Sequence, residues 1–263
     1  MGLFFPSDDD RLPPGRRKGF ARYAQLLGRD FKQLFLMDLL TLASFIPYGL
    51  GVGYAVLSQS VLVLIPVCVI GGMIFGQGLA AMYDLILRRM RDVESDWWIC
   101  FKRSLRQNWR AALLPGVLEG LFLGFLIFVG VLIWEMGVIT PGTLVILAGG
   151  ILLFTMVFSV WWPQVVLFDQ SPAVQLKNSV LFCIRYFPRS LGTAVLQTAF
   201  WSVMVLFLPW TGFLVPFLGV WYILFVAVFL LYDRLNDALH IEEQIFAQFP
   251  EQIPVYEDED EEE

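Results

Sequence analysis

The sequence predicts an all-α polytopic membrane protein, a bundle of six transmembrane helices with both termini in the cytoplasm and further helices on the cytoplasmic surface. Composition gives the first indication: the 263-residue chain is 57% hydrophobic and 16% charged, with a mean hydropathy of +0.67. The apolar residues form long stretches, and all eighteen Lys and Arg residues lie outside or at the ends of these stretches. A soluble domain would have to bury six nearly uncharged helices in one core, which argues against that class.

Six hydrophobic stretches are each near or above the roughly 20 residues that a helix needs to cross the hydrocarbon core of a bilayer. They cover residues 31–57, 60–87, 111–134, 144–168, 191–208 and 212–232. The Lys and Arg residues occur before the first stretch, in alternate connections and after the last stretch, whereas the turns between them contain none. Because cytoplasmic loops are enriched in Lys and Arg, the pattern predicts cytoplasmic termini.

The chain then divides into three segments. Residues 1–30 form a cytoplasmic segment, whose part 19–30 has apolar residues at helical spacing and predicts an interfacial helix, with an unstructured basic leader as the alternative. Residues 31–235 form the six-helix membrane domain. Residues 236–263 complete a helix predicted over 232–249 and end in an acidic, disordered tail. Such a tail is usually a solvated extension, and binding of cations or a basic partner is the alternative.

The connection between the second and third stretches, residues 88–110, carries aromatic residues at spacings of three and four with cations beside them. This pattern predicts a cytoplasmic surface helix, with tryptophans at headgroup level and arginines on lipid phosphates. The residues expected at this interface are Arg88, Arg89, Trp97, Trp98, Lys102, Arg103, Arg106, Trp109 and Arg110. Residues 169–190 predict a second surface helix, with Pro172 in its first turn.

Small residues recur every fourth position in two consecutive stretches. One ladder consists of Gly72, Gly76 and Ala80, and the other of Gly116, Gly120 and Gly124. Hydrophobic burial contributes little between helices in lipid, so close backbone contact over small residues stabilises their association instead. We expect the two antiparallel helices to pack against each other, the alternative being that one ladder faces a partner subunit.

Polar side chains at membrane depth form a further set. Because such groups are costly in lipid, they should face the bundle interior, and they predict a polar cavity that opens to the cytoplasm. Its lining would be Asp38, Gln77, Asp84, Glu119, Gln164 and Gln197. The alternative is structural: hydrogen bonds to neighbouring Gln or Ser side chains would hold the helices together, and Asp84 would pair with Arg88 one turn further on.

No catalytic constellation is present in the sequence. The only histidine, His240, follows the last stretch, and no phosphate-binding loop or zinc-binding motif occurs. Three cysteines do not make a disulfide framework, and Cys100 and Cys183 fall in segments predicted to face the reducing cytoplasm. We therefore expect a protein that is not an enzyme and has no catalytic residue, metal, cofactor or nucleic-acid partner.

Several short motifs resemble the YesL-like family of bacterial membrane proteins, whose molecular function is unknown. The chain opens with MGLF, has an apolar stretch that ends near Pro47, and reads GLAAMY at residues 78–83 before a basic segment. Phe101, Lys102 and Asn108 match a Phe–basic–Asn pattern, and Lys177 with Asn178 matches a second basic–Asn site. The chain is longer than the family pattern between Pro47 and residue 78.

The resemblance implies a location in the bacterial cytoplasmic membrane and an accessory or regulatory role in carbohydrate uptake by ABC-type transporters. Besides the lipid bilayer, the expected partners are an ABC transporter permease or a second copy of this chain. The alternative function is a small-solute or proton-coupled transporter or channel that uses the polar cavity.

Overall fold

The computed structural model describes residues 16–93 and 95–254, and these residues form only helices, turns and loops. The N-terminal residues 1–15 and the acidic tail lie outside the described residues. The α-helices are α1 (Gly19–Leu57), α2 (Val61–Met90), α3 (Trp97–Gln107), α4 (Trp109–Glu135), α5 (Pro141–Leu167), α6 (Pro172–Arg185), α7 (Phe187–Leu206), α8 (Val215–Leu218), α9 (Val220–Leu239) and α10 (Ile241–Gln248). Short 3₁₀ turns cover Gly212–Leu214 and Pro250–Gln252.

Helix α1 is one continuous helix of 39 residues. Residues 19–30, expected to form an interfacial helix that leads into the membrane, are helical and run without a break into the rest of α1. The reason is the buried stripe of α1, which includes Arg22, Leu26, Asp30 and Leu34 at spacings of four residues. Because these side chains pack against the rest of the bundle, α1 continues without a break on both sides of residue 31.

Helix α2 lies at the centre of the fold and contacts α1, α3, α4, α5 and α9. Almost every residue between Phe75 and Met90 is buried, on all sides of the helix. A helix that is apolar around most of its circumference has to be surrounded by other helices, since no single face can be turned to water. Helices α1, α3, α4, α5 and α9 therefore surround α2.

The two short helices predicted on the surface are α3 and α6. Asp96 caps α3, because its carboxylate accepts a hydrogen bond from the backbone N–H of Trp98 at 2.8 Å. Pro172 occupies the first turn of α6, where a missing N–H costs no intrahelical hydrogen bond. Both helices bury one narrow face against the bundle.

The last apolar stretch is broken rather than straight. Residues Gly212–Leu218 and helix α9 meet at an angle of 51°, with the break at Gly219. Helix α9 then ends at Leu239, and the next residue, His240, has a φ of 49° in the left-handed region. The single helix predicted over residues 232–249 is therefore wrong, because a left-handed residue ends α9 and separates it from α10.

Four helices are long and apolar enough to cross a membrane, α1, α2, α4 and α5, and the bent pair ending in α9 makes up to five. Large apolar side chains face outward on these helices, among them Leu50, Leu62 and Ile146. Such a surface suits lipid and is unfavourable in water. The described chain is thus a helical bundle with the length and composition of a multi-pass membrane protein. Helix α7, predicted as a further span, is less apolar because it includes Arg189, Thr193 and Gln197.

Candidate functional site

Each of the six polar side chains predicted to line a cavity has a hydrogen-bond partner of its own. Asp38 in α1 accepts a hydrogen bond from the backbone N–H of Trp221 at 2.9 Å through Oδ1. Its second oxygen, Oδ2, is buried and has no hydrogen-bond partner among the described residues. The carboxylate therefore acts like a cap at the first turn of α9, although it belongs to another helix.

Glu119 and Gln77 are bound by tryptophan residues. The indole Nε1–H of Trp162 donates a hydrogen bond of 2.6 Å to the Glu119 carboxylate, which links α5 to α4. Gln77 donates to the backbone carbonyl of Trp109 at 3.1 Å, which links α2 to the start of α4. The partners differ from the Gln and Ser neighbours expected from the sequence. The contacts nevertheless join neighbouring helices, as the structural interpretation requires.

Gln164 and Gln197 hold α5 to its two following neighbours. Gln164 donates to the hydroxyl of Ser179 in α6 at 2.8 Å. Gln197 in α7 donates to the hydroxyl of Ser159 in α5 at 2.7 Å. Both pairs are buried, so each bond satisfies an amide N–H group that would otherwise be costly at this depth.

Asp84 lies near the end of α2 in a separate charged group. Its carboxylate accepts a hydrogen bond from Arg88 Nε at 3.0 Å, lies 3.7 Å from Arg103 Nη2, and accepts one from the Cys100 thiol at 3.1 Å. Burial, followed by the Asp84 charge, raises the pKa of the Cys100 thiol to about 12. The pairing of Asp84 with Arg88 is the one that the sequence spacing indicates.

These contacts favour the packing interpretation of the six polar residues over a shared cavity. The carboxylates and amides join α1 to α9, α2 to α4, α4 to α5, α5 to α6 and α5 to α7. A polar cavity for a solute would need side chains whose hydrogen-bonding groups are not already bonded to other parts of the protein. Within the described part of the chain, three oxygens of this set are buried without a hydrogen-bond partner: Asp38 Oδ2, Gln77 Oε1 and Gln164 Oε1.

The two glycine ladders lie face to face between α2 and α4. A Cβ atom added at Gly76 would lie 3.0 Å from the Cα of Gly116, and one added at Gly120 would lie 2.6 Å from the carbonyl oxygen of Cys68. A Cβ atom at Gly72 would meet the backbone carbonyl of Gly116. The backbones of the two helices are thus in direct contact, and Ala80 continues the buried face of α2.

Helix α3 and the residues after it present an exposed aromatic and basic surface. Lys102 Nζ lies 5.4 Å from the ring centroid of Trp98, and the guanidinium of Arg110 lies 5.1 Å from that of Trp109. These four side chains and Arg106 are exposed. Cation–π contacts of this kind orient charged groups beside aromatic rings at a surface. Five of the nine residues expected at the headgroup interface therefore point outward.

Arg89, which was expected at the headgroup interface, is buried inside the bundle instead. It is only 5% exposed, lies 3.3 Å from the Asp30 carboxylate through Nη1, and donates to the Ser95 carbonyl at 2.6 Å. The cause is the length of α1, which places Asp30 beside the end of α2. Arg88, Trp97 and Arg103 are half-buried, since two of them face Asp84 and the Trp97 N–H donates to the side chain of Gln33.

Asp92 joins three arginines of α1 and of the residues before it. Its carboxylate lies 3.5 Å from Arg16 Nε and 2.5 Å from Arg22 Nη2 through Oδ2, and 2.9 Å from Arg29 Nη1 through Oδ1. Arg16 also pairs with Glu242 in α10 at 2.9 Å. The sequence analysis did not single out these acids. Neither stands out in the sequence, because Asp92 is followed by two further acidic residues at positions 94 and 96 and Glu242 is adjacent to Glu243.

Among the residues that the structure describes, no group of three or more His, Cys, Asp or Glu side chains has the arrangement of a metal site. The candidate features for a function are the charged end of the bundle, the exposed α3 surface and the broken helix beside Asp38. Comparison with known proteins gave no match to a family model, to a curated protein or to a solved structure.

Proposed function

We propose that the protein is a six-span protein of the bacterial cytoplasmic membrane with both termini in the cytoplasm. The ion pairs support this topology, because they join the start of α1, the end of α2 and α10, three segments assigned to the same side. The turn after α1 and the end of α4 also meet, since Gln59 donates to the Glu135 carboxylate at 3.2 Å. These two segments were assigned to the opposite side.

Within the membrane the protein acts as an accessory or regulatory component without enzymatic activity of its own. One observation carries this proposal: the polar groups inside the bundle mostly bond to each other, whereas the basic and aromatic surface of α3 faces outward. A component of that kind acts through its surface. The resemblance to the YesL-like family suggests carbohydrate ABC transport as the process and a permease or a second copy as the partner.

The test combines uptake with co-purification. A strain that lacks this protein should take up a labelled oligosaccharide slowly through its ABC transporter, and the wild-type chain should restore uptake and co-purify with the permease. The double variant Lys102→Glu/Arg106→Glu should restore neither, because it reverses the charge of the α3 surface. Glu119→Gln, which keeps an acceptor for Trp162, should restore both. The proposal is wrong if uptake does not depend on the chain.

A second function, transport by the protein itself, is favoured by the broken helix. Transporters often place ion or substrate sites where a membrane helix is interrupted. Here the interruption at Gly219 lies next to Asp38, whose Oδ2 is buried without a hydrogen-bond partner. Proteoliposomes that contain only the purified chain should then show solute or proton flux, and Asp38→Asn should abolish it. Flux that is absent, or is unchanged in this variant, contradicts transport through this site.

A further inference from the structure

Helix α3 packs beside the second half of α2. The Asp84 carboxylate accepts a hydrogen bond from the Cys100 thiol of α3 at 3.1 Å, and Gln77 donates to the Trp109 carbonyl just after α3, also at 3.1 Å. Counted from Val61 at the start of α2, Gln77 and Asp84 lie about 24 and 34 Å along the helix. A hydrocarbon core of about 30 Å that begins at Val61 therefore ends beside α3, at the level of the lipid headgroups.

The outward side of α3 and of the start of α4 carries large apolar side chains. Trp98 is 44% exposed and Ile99 58%, and Leu105 and Trp109 are 36% and 46% exposed. The opposite side of α3, which includes Cys100, is buried against the bundle. Exposed apolar side chains are unfavourable in water, whereas at headgroup level they reach the edge of the acyl chains. This side of α3 therefore suits the surface of a leaflet.

The cations on the same side are not neutralised by the protein. Lys102, Arg106 and Arg110 are exposed, and none of them forms an ion pair with a carboxylate of the described residues. Arg88 and Arg89, from the same basic part of the sequence, instead pair with carboxylates inside the bundle. Helix α3 itself contains no acidic residue. Three positive charges thus remain available to a negatively charged partner outside the chain.

We propose that the α3 surface binds anionic phospholipids of the cytoplasmic leaflet in preference to zwitterionic ones. The apolar side chains can anchor in a leaflet of either kind. The unpaired cations Lys102, Arg106 and Arg110 add attraction only where the headgroups carry a net negative charge. The inference rests on the proposed membrane location and is independent of a role in carbohydrate transport.

The experiment measures which lipid contacts α3 when the full chain is placed in lipid nanodiscs. Ile99→Cys supplies an exposed thiol for a fluorescent label, whereas the native cysteines are buried. The discs contain phosphatidylglycerol and phosphatidylcholine in equal amounts, and only one of these lipids carries a spin label that quenches a neighbouring fluorophore. We expect phosphatidylglycerol to be enriched beside residue 99 by a factor of about five or more, the effect of one cation near an anionic leaflet.

Variants separate the α3 surface from the general charge of the protein. Lys102→Gln/Arg106→Gln should lose most of the enrichment, whereas Lys32→Gln/Lys177→Gln, which removes the same charge from exposed positions outside α3, should keep it. The proposal is overturned if both lipids quench the label equally, if neither lipid quenches it, or if the two double variants lose the enrichment to the same extent. Because the discs contain no permease, these outcomes are independent of the uptake experiment.

Discussion

Asp38 in α1 accepts a hydrogen bond from the backbone N–H of Trp221 at 2.9 Å, between residues 183 positions apart in the sequence. The bond lies where the last apolar stretch bends by 51°, so it joins the middle of α1 to the first turn of α9. Gly219 makes the approach feasible, since a Cβ atom there would lie 3.0 Å from Asp38 Oδ2. The start of α9 is thus fixed by a side chain of the first helix.

Replacement of Asp38 should therefore destabilise the protein. Asp38→Ala leaves the Trp221 N–H without an acceptor and should lower the free energy of unfolding by about 1–3 kcal/mol. Asp38→Asn keeps an acceptor oxygen and should cost clearly less. Reversible unfolding in mixed micelles measures both, with Asp169→Ala in an exposed loop as the control. Equal losses for the Ala and Asn variants would show that the negative charge matters and the hydrogen bond does not.

The contact between α2 and α4 should not tolerate a side chain at Gly72. A Cβ atom there meets backbone atoms of Gly116 and Val117, which cannot rotate away. Gly72→Ala should therefore destabilise the bundle by about 1–3 kcal/mol through overpacking. Gly149→Ala in α5 is the matched control: its Cβ atom meets nothing within 4 Å, and alanine should stabilise the helix by about 0.5–1 kcal/mol. Thermal unfolding of the two variants should shift in opposite directions.

Loss of the Asp92 charge should lower the free energy of unfolding more than loss of the charge of an exposed acidic residue. Asp92→Asn keeps a residue type that accepts the φ of 60° found there, so the variant tests the charge and not the backbone. Three arginines would lose their shared carboxylate, and we expect a loss of about 3–5 kcal/mol. Asp96→Asn, which preserves the cap of α3, should change stability by less than about 0.5 kcal/mol. Similar losses in both variants would contradict a special role for Asp92.

Cys100 should react with maleimides or iodoacetamide only after unfolding. Burial raises the pKa of the Cys100 thiol to about 12 from its ordinary value of 9.0, so the folded thiol at pH 8 has about 1,000-fold less thiolate than an ordinary cysteine. The folded state binds this proton more tightly than the unfolded state. Stability from the protonated thiol is therefore complete below about pH 9 and is lost as pH rises towards 12.

Mass spectrometry of alkylated protein checks the reactivity of Cys100. The free energy of unfolding, measured at pH 8 and pH 10, checks the predicted dependence of stability on pH. The wild type should lose about 1.4 kcal/mol relative to Cys100→Ala for each pH unit above about 9. Modification of Cys100 in the folded protein at the rate of a free thiol would contradict the buried contact with Asp84.

The sequence was sufficient to predict where most helices lie. Apolar stretches and the proline at position 172 are local signals. Helices α1, α2, α4 and α5 coincide with four of the six predicted spans, whereas α7 is a helix at the position of a fifth but is not among the helices apolar enough to cross a membrane. The apolar spacing of residues 19–30 predicted a helix there, but not its packing into the bundle as the first third of α1. It depends on Arg22 and Asp30, which find their partners Asp92 and Arg89 more than 50 positions away in the sequence.

The internal polar contacts were also beyond sequence reasoning. Depth in the membrane indicates that Glu119 should face inward, but its partner is set by how α4 and α5 rotate about their axes. The break at Gly219 had a local signal in Pro216 and Gly219, yet both residues also occur inside straight membrane helices. Only the tertiary contact with Asp38 distinguishes a helix that is broken at Gly219 from a straight one.

The unbroken course of α1 has a mechanical consequence. Its 39 residues extend for about 58 Å, whereas the hydrocarbon core is about 30 Å thick, so nearly half of the helix projects beyond it. A thinner or thicker bilayer changes the tilt of a membrane helix, and a tilt of about 10° moves a point 30 Å along the axis by about 5 Å. Because Arg22 and Asp30 are paired with Asp92 and Arg89 at the end of α2, a change in the tilt of α1 relative to α2 would strain these ion pairs.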